Sequence, residues 1–393
     1  QRNFKNCLGY GKRNHPLWQN FFPFFICIFS WSTKKKQYKK TQIKFYRKKA
    51  IVVEVDMKTR RLKKIMCMII ISLMLTSYGC VLLVQAEADN SKCTENYITV
   101  GGKKMHVVLY GELNQEGNTF VEQGKDTIVM LPALAVPSPN IYFKPLAEAL
   151  DKTYNVVVIE PLGYGLSDIT EEERTVENIN REIYEALGVL GIDTCTLLVH
   201  SISGVYGLDF IYTYPEKVNG FIAIDNTVYD EGLSEVMQIE QEYMKQAALE
   251  FESIRNTFEN TEDFKAAIEA DPLKYGAELP DIKGYNYSEE DYEEYYDAYA
   301  RSSNQTVQNE IQNMMKSLES IREKKFPSTL PVLTMLSSDN VEAMPIWKTA
   351  HQNQLDLNSG NHKLYTVSGN HYMWYTNLET VVKLIIEWSA SQK

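Results

Sequence analysis

The chain predicts an α/β fold: a mostly parallel sheet flanked by helices, with an inserted helical cap. Three observations predict it. From residue 97 onward, short apolar runs alternate with segments of helical periodicity, the pattern of right-handed crossovers between parallel strands. Tyr154–Ile159 is continuously apolar, as expected of a strand buried on both faces. From about 229 to 325 the alternation stops and an acidic, helical segment without buried strands takes its place, too long for a plain loop.

The elements follow in order. Tyr97–Val100 and Met105–Tyr110 read as strands joined by the turn Gly101-Gly102. Asp126–Leu131 is a third strand, running into Pro132-Ala133-Leu134-Ala135 and a helix over 140–150. The strand 154–159 ends in a glycine-built loop, Glu160-Pro161-Leu162-Gly163-Tyr164-Gly165-Leu166-Ser167-Asp168. A helix over 175–190 leads to the strand Cys195–Val199, and a further helix spans about 205–214. Gly220–Ile224, Pro331–Leu336 and Lys363–Val367 are the remaining strands, and a helix over 378–389 closes the chain. Pro272 and Pro280 break the helical segment. Its tyrosines (285, 287, 292, 295, 296, 299) read as an amphipathic helix packed on a core rather than as a substrate entrance.

Charge divides the chain. Residues 1–64 carry 18 Lys+Arg against 2 Asp+Glu, whereas the remaining residues carry 23 against 49. The acidic part excludes a basic nucleic-acid face. No methionine precedes Met57, so 1–56 is expected to be a disordered basic leader or upstream sequence read in frame. Lys58–Lys64 followed by the apolar stretch Ile65–Val84 and small residues at 84–88 reads as a signal peptide. An uncleaved membrane anchor through residues 65–84 is the second reading. Either way the domain from 89 to 393 is expected to be exported. Of six cysteines only Cys93 and Cys195 follow residue 88. Neither a disulfide framework nor a metal-ligand spacing is present, and no cofactor is expected.

The chemistry centres on Val199-His200-Ser201-Ile202-Ser203-Gly204, where a strand turns sharply into a helix and exposes a hydroxyl. Such a serine needs a general base. His371, in the loop Ser368-Gly369-Asn370-His371 after the last strand, is the best placed histidine. Asp339, after the strand ending at Leu336, is the expected orienting acid, with Asp225 and Glu342 as rivals. The backbone N–H groups of Ile202 and Leu134 are the expected oxyanion donors.

These motifs, in this order, resemble the α/β-hydrolase superfamily over about residue 97 to the end. The resemblance implies an eight-stranded sheet, a cap after the sixth strand and a Ser-Asp-His triad. Val199 and Ser203 depart from the family's small residues around the nucleophile, and Pro132-Ala133 stands where the family usually has His-Gly. A serine rather than an aspartate nucleophile speaks against epoxide-hydrolase and haloalkane-dehalogenase chemistry. The expected activity is hydrolysis of a carboxylic ester on a small to medium, partly apolar substrate. An aminopeptidase-like amide hydrolase, whose acidic cap receives a free amine, and a non-catalytic binding protein of the same fold are the alternatives.

Overall fold

The computed structural model describes residues 93–111 and 124–392. The expectations for a leader, a signal peptide and an anchor lie outside the described residues. Among the described residues no helix is long and apolar enough to cross a membrane.

Eight strands form one sheet in the order β1-β2-β4-β3-β5-β6-β7-β8. They are β1 (Cys93–Val100), β2 (Lys103–Tyr110), β3 (Thr127–Leu131), β4 (Asn155–Ile159), β5 (Cys195–His200), β6 (Val218–Ile224), β7 (Val332–Ser337) and β8 (His362–Val367). Pairings involving β2 are antiparallel and those from β4 to β8 are parallel. The apolar runs bury both faces with the period-two alternation of a strand. Val129, Val157, Leu197 and Val199 point into one core, while Ile128, Val156, Leu198 and Ile222 point into the other.

The crossover helices are α1 (Pro139–Leu150), α2 (Val176–Val189) and α3 (Ser203–Thr213). Ser138 caps α1 and Thr175 caps α2, each accepting a first-turn backbone N–H. The acidic segment supplies α4 (Ser234–Arg255), α5 (Thr261–Ala270), α6 (Pro272–Tyr275), α7 (Glu289–Arg301) and α8 (Gln305–Glu319). Helices α9 (Ser338–Ala343), α10 (Pro345–Gln354) and α11 (Met373–Ala390) complete the chain. The cap has its own core, in which Tyr295 and Tyr299 pack with Phe251, Phe264 and Ile268. It is tied to the sheet domain by Tyr206 Oη donating to Glu310 Oε1 (2.8 Å) and Asn140 Nδ2 donating to Glu294 (3.0 Å).

The loop after β4 is built around Glu160. Its Oε2 accepts from Leu166 N (2.8 Å) and its Oε1 from Asn140 N at the start of α1 (3.0 Å). Gly165 is required there: its φ is +52°, and a Cβ would lie 1.8 Å from Glu160 Oε2. The same carboxylate accepts from His106 Nδ1 of β2 at 2.9 Å, with both side chains fully buried. Burial alone would depress the imidazole, but the hydrogen bond to Glu160 and the Glu95 carboxylate 3.8 Å from Nε2 outweigh it and push His106 up to about 10. A raised histidine stabilises the fold fully below its unfolded value of about 6.5. That stability is lost as pH rises through about 10. Melting temperature is therefore expected to fall between pH 7 and pH 10. The fall should be smaller in His106→Gln; an equal fall in both would reject the ion pair as its cause.

Candidate active site

Ser201 follows β5 directly and has φ +55°, a left-handed conformation that costs a non-glycine residue about 1–2 kcal/mol. The turn is held by its neighbours: Thr227 N and Gly204 N donate to Ser201 O at 2.8 and 3.0 Å. Close approach of α3 to the sheet permits it. A Cβ on Gly204 would sit 2.5 Å from Asn226 Cβ. Val199 is accommodated by Gly207, where a Cβ would lie 3.1 Å from Val199 Cγ1 and 2.7 Å from the Phe221 ring. Ser203 turns its hydroxyl to Pro132 O (2.5 Å), joining the elbow to the loop after β3. Gly207→Ala is expected to lower stability by about 1–3 kcal/mol through overpacking. A melting temperature unchanged in that variant would show that the elbow does not depend on this space.

His371 sits in the loop after β8 and is nearly buried. Its Nδ1 pairs with Asp225 Oδ2 at 2.7 Å. Asp225 ends β6, has φ +43° and is fully buried. Three further donors surround its carboxylate: Trp347 Nε1 (2.9 Å) and Ser337 N (3.0 Å) on Oδ1, and Asn340 Nδ2 (2.5 Å) on Oδ2. A carboxylate so held fixes the imidazole with Nδ1 protonated and leaves Nε2 free to accept a proton.

The expectation for Asp339 is corrected here. Asp339 is exposed in the first turn of α9, where its Oδ1 accepts from Ser338 Oγ (3.2 Å). Ser337 caps that helix by accepting from Asn340 N, so the chain turns immediately after β7 and carries Asp339 to solvent. The same turn brings Ser337 N and Asn340 onto Asp225. Glu342 is also exposed on α9. Of the three acids only Asp225 meets the histidine.

Ser201 is brought beside this pair by strand order, because β5 and β6 are neighbours and Ser201 N lies 3.5 Å from Ile224 O. The His200 ring centroid is 4.2 Å from that of His371. The Ser201 hydroxyl itself makes no hydrogen bond among the described residues; catalytic pairs commonly tighten only when substrate seats. The two expected oxyanion donors, Leu134 N and Ile202 N, likewise donate to no protein acceptor among the described residues. Both residues line one pocket with Ser201.

His200 has a supporting role that its neighbourhood in sequence does not reveal. Its Nε2 donates to His371 O (3.0 Å) and its Nδ1 accepts from Tyr142 Oη (2.5 Å). Burial, helped by the nearby His371, holds its imidazole well below the ordinary range, so it stays neutral. It pins the backbone of His371. Helices α4 and α8 form the roof of the pocket with Met237, Glu240, Met244, Met314 and Leu318. Free space beneath them is small, ≈ 10 Å³, about the room of one water.

Comparison with known proteins agrees with this architecture. The family model described as "alpha/beta hydrolase fold" matches residues 126–314. An uncharacterized protein YbdG from Bacillus subtilis is 29% identical over 140 residues, which is 35% of this chain and 40% of that protein. A cis-3-alkyl-4-alkyloxetan-2-one decarboxylase from Shewanella oneidensis is 26% identical over 124 residues, 30% of this chain and 38% of that protein. The chain thus spans about two fifths of the length of these curated relatives. Among solved structures, the Cif epoxide hydrolase from Acinetobacter nosocomialis superposes with TM-score 0.55 at 14% identity, covering 75% of this chain and 88% of that one. An epoxide hydrolase from Vigna radiata gives 0.54 at 16% identity, covering 76% and 98%. With an eight-stranded sheet of this topology and a serine at the elbow after β5, the chain has the α/β-hydrolase fold.

Proposed function

We propose that the protein is a serine hydrolase that cleaves a carboxylic ester through an acyl-enzyme. The observation that carries the reading is the 2.7 Å Asp225–His371 pair beside a serine held at φ +55°. His371 Nε2 takes the Ser201 proton as Oγ attacks the carbonyl carbon. The oxyanion is received by the N–H groups of Leu134 and Ile202, a service worth about 3–4 kcal/mol per donor in the transition state. The imidazolium returns its proton to the leaving alkoxide as the tetrahedral intermediate collapses. Water, deprotonated by the same histidine, then releases the acid and frees Ser201. The narrow, methionine-lined pocket suits a small to medium, partly apolar acyl compound, admitted as flexible thioether side chains move aside.

A serine nucleophile distinguishes the reading from the chemistry of the epoxide hydrolases among the structural neighbours, whose likeness is one of fold. The test is labelling by a fluorophosphonate, which phosphonylates an activated serine. Covalent mass should be found on Ser201 in the native protein. No labelling, or labelling that persists in Ser201→Ala, would remove the proposal. Export belongs to the same reading, supported by the basic-then-apolar order of residues 58–84. Residues 65–84 retained in mature protein would make that segment an anchor; their loss would make it a cleaved signal.

A further inference from the structure

The pocket over Ser201 holds one ionisable group for which the acyl-transfer chemistry has no use. Glu240 lies on α4 between Met237 and Met244, at spacings that place all three on one helix face. Met314 and Leu318 of α8 complete its surroundings. Among the described residues Glu240 has neither a hydrogen-bond nor an ion-pair partner. Apart from Ser201 below it, no other charged or titratable side chain lines that pocket among the described residues.

A lone carboxyl among thioethers is unfavourable for the empty fold, because an unpaired charge in an apolar setting is poorly solvated. Burial pushes this carboxyl up to about 8, so near neutral pH it is largely protonated. A cation brought against it would favour the ionised form and release its proton. The methionines offer an apolar, adaptable wall to alkyl groups around such a cation. The wider field points the same way: residues 229–325 carry 23 Asp+Glu against 10 Lys+Arg, which enriches cations and repels anions near the entrance.

We propose that Glu240 is the specificity determinant of this pocket and selects substrates that carry an alkylammonium group. The inference deepens the serine-hydrolase reading by naming its substrate class. It also makes the amine-bearing substrates of an amide hydrolase compatible with the site.

The test is calorimetric binding of choline and its uncharged isostere 3,3-dimethylbutan-1-ol to native protein, Ser201→Ala and Glu240→Gln, with folding checked by thermal melting. Native protein and Ser201→Ala should prefer choline by about 10- to 100-fold, through charge attraction alone, since a quaternary ammonium has no N–H to donate. The preference should vanish in Glu240→Gln. Choline binding to native protein should also release protons, seen as a dependence of the heat on buffer ionisation enthalpy. Equal binding of the two alcohols to native protein, or a preference retained in Glu240→Gln, overturns the proposal. Should Glu240→Gln not fold, the native preference and its proton release decide. The hydrolase reading fails separately: choline preference without fluorophosphonate labelling of Ser201 leaves a cation site without the enzyme.

Discussion

Asp225→Asn is expected to reduce hydrolysis about 10⁴-fold while Asp339→Asn leaves it essentially unchanged. The magnitude is that of the wrong-tautomer defect when the orienting acid of a triad becomes an amide. Asp225 accepts from His371 Nδ1, Trp347 Nε1, Ser337 N and Asn340 Nδ2. An amide in its place would have to turn its NH₂ towards at least one donor. Turned towards His371, it would force Nδ1 to accept, so that Nε2 would carry the proton and could no longer act as base. Turned towards Trp347 and the Ser337 N–H, it would set donor against donor at a fully buried position, a cost of about 1–3 kcal/mol in stability. Melting temperature separates the two effects. Asp339 is exposed and its carboxylate bonds only to the adjacent Ser338 hydroxyl, so substitution there should lie within about 0.5 kcal/mol of native stability. Steady-state rates for both variants on one p-nitrophenyl ester are the measurement. A comparable loss in Asp339→Asn would return the acid's role to β7.

Ser201→Ala should remove about 10⁶-fold of the rate, since the nucleophile and its base act as a unit, and should abolish fluorophosphonate labelling. Its stability should hardly change, because alanine at φ +55° is strained much as serine is. Ser201→Gly offers the sharper comparison. It loses the same chemistry but relaxes the left-handed strain, so its melting temperature should exceed that of native protein, by the equivalent of up to about 1–2 kcal/mol. An inactive glycine variant that is also less stable would show that the turn is not a strained element.

Much of this site is legible along the chain, and where it is not, the reason is geometric. Ser201 is marked by its own neighbours, an apolar run ending in a serine and followed by Gly204, because a strand-to-helix turn is a local event. His371 is marked by position, since a loop after the last strand of a parallel sheet must emerge at the carboxyl edge. The acid is different. Asp225 and Asp339 both follow strands, β6 and β7, that lie side by side in the sheet. Local pattern cannot tell which carboxylate faces inward. The choice is made by φ +43° at Asp225 and by Ser337 capping α9, which sends Asp339 outward. Both are properties of turns whose shape depends on what packs against them.

The roof of the pocket follows the same division. Helical spacing alone places Met237, Glu240 and Met244 on one face of a helix, but not what that face covers. Likewise, nothing beside His200 in the chain points to Tyr142, 58 residues away, or to the carbonyl of His371, 171 residues away.

By itself the sequence determined the alternation of strands and helices, the helical cap segment and the places of the proposed nucleophile, base and two backbone donors, all of which depend on periodicity, turn chemistry and chain order. Only the tertiary structure decided the acid, the neutral histidine behind the base and the carboxyl above the serine. Each of these is a contact between segments far apart in the chain, and its partner is chosen by packing rather than by neighbouring residues.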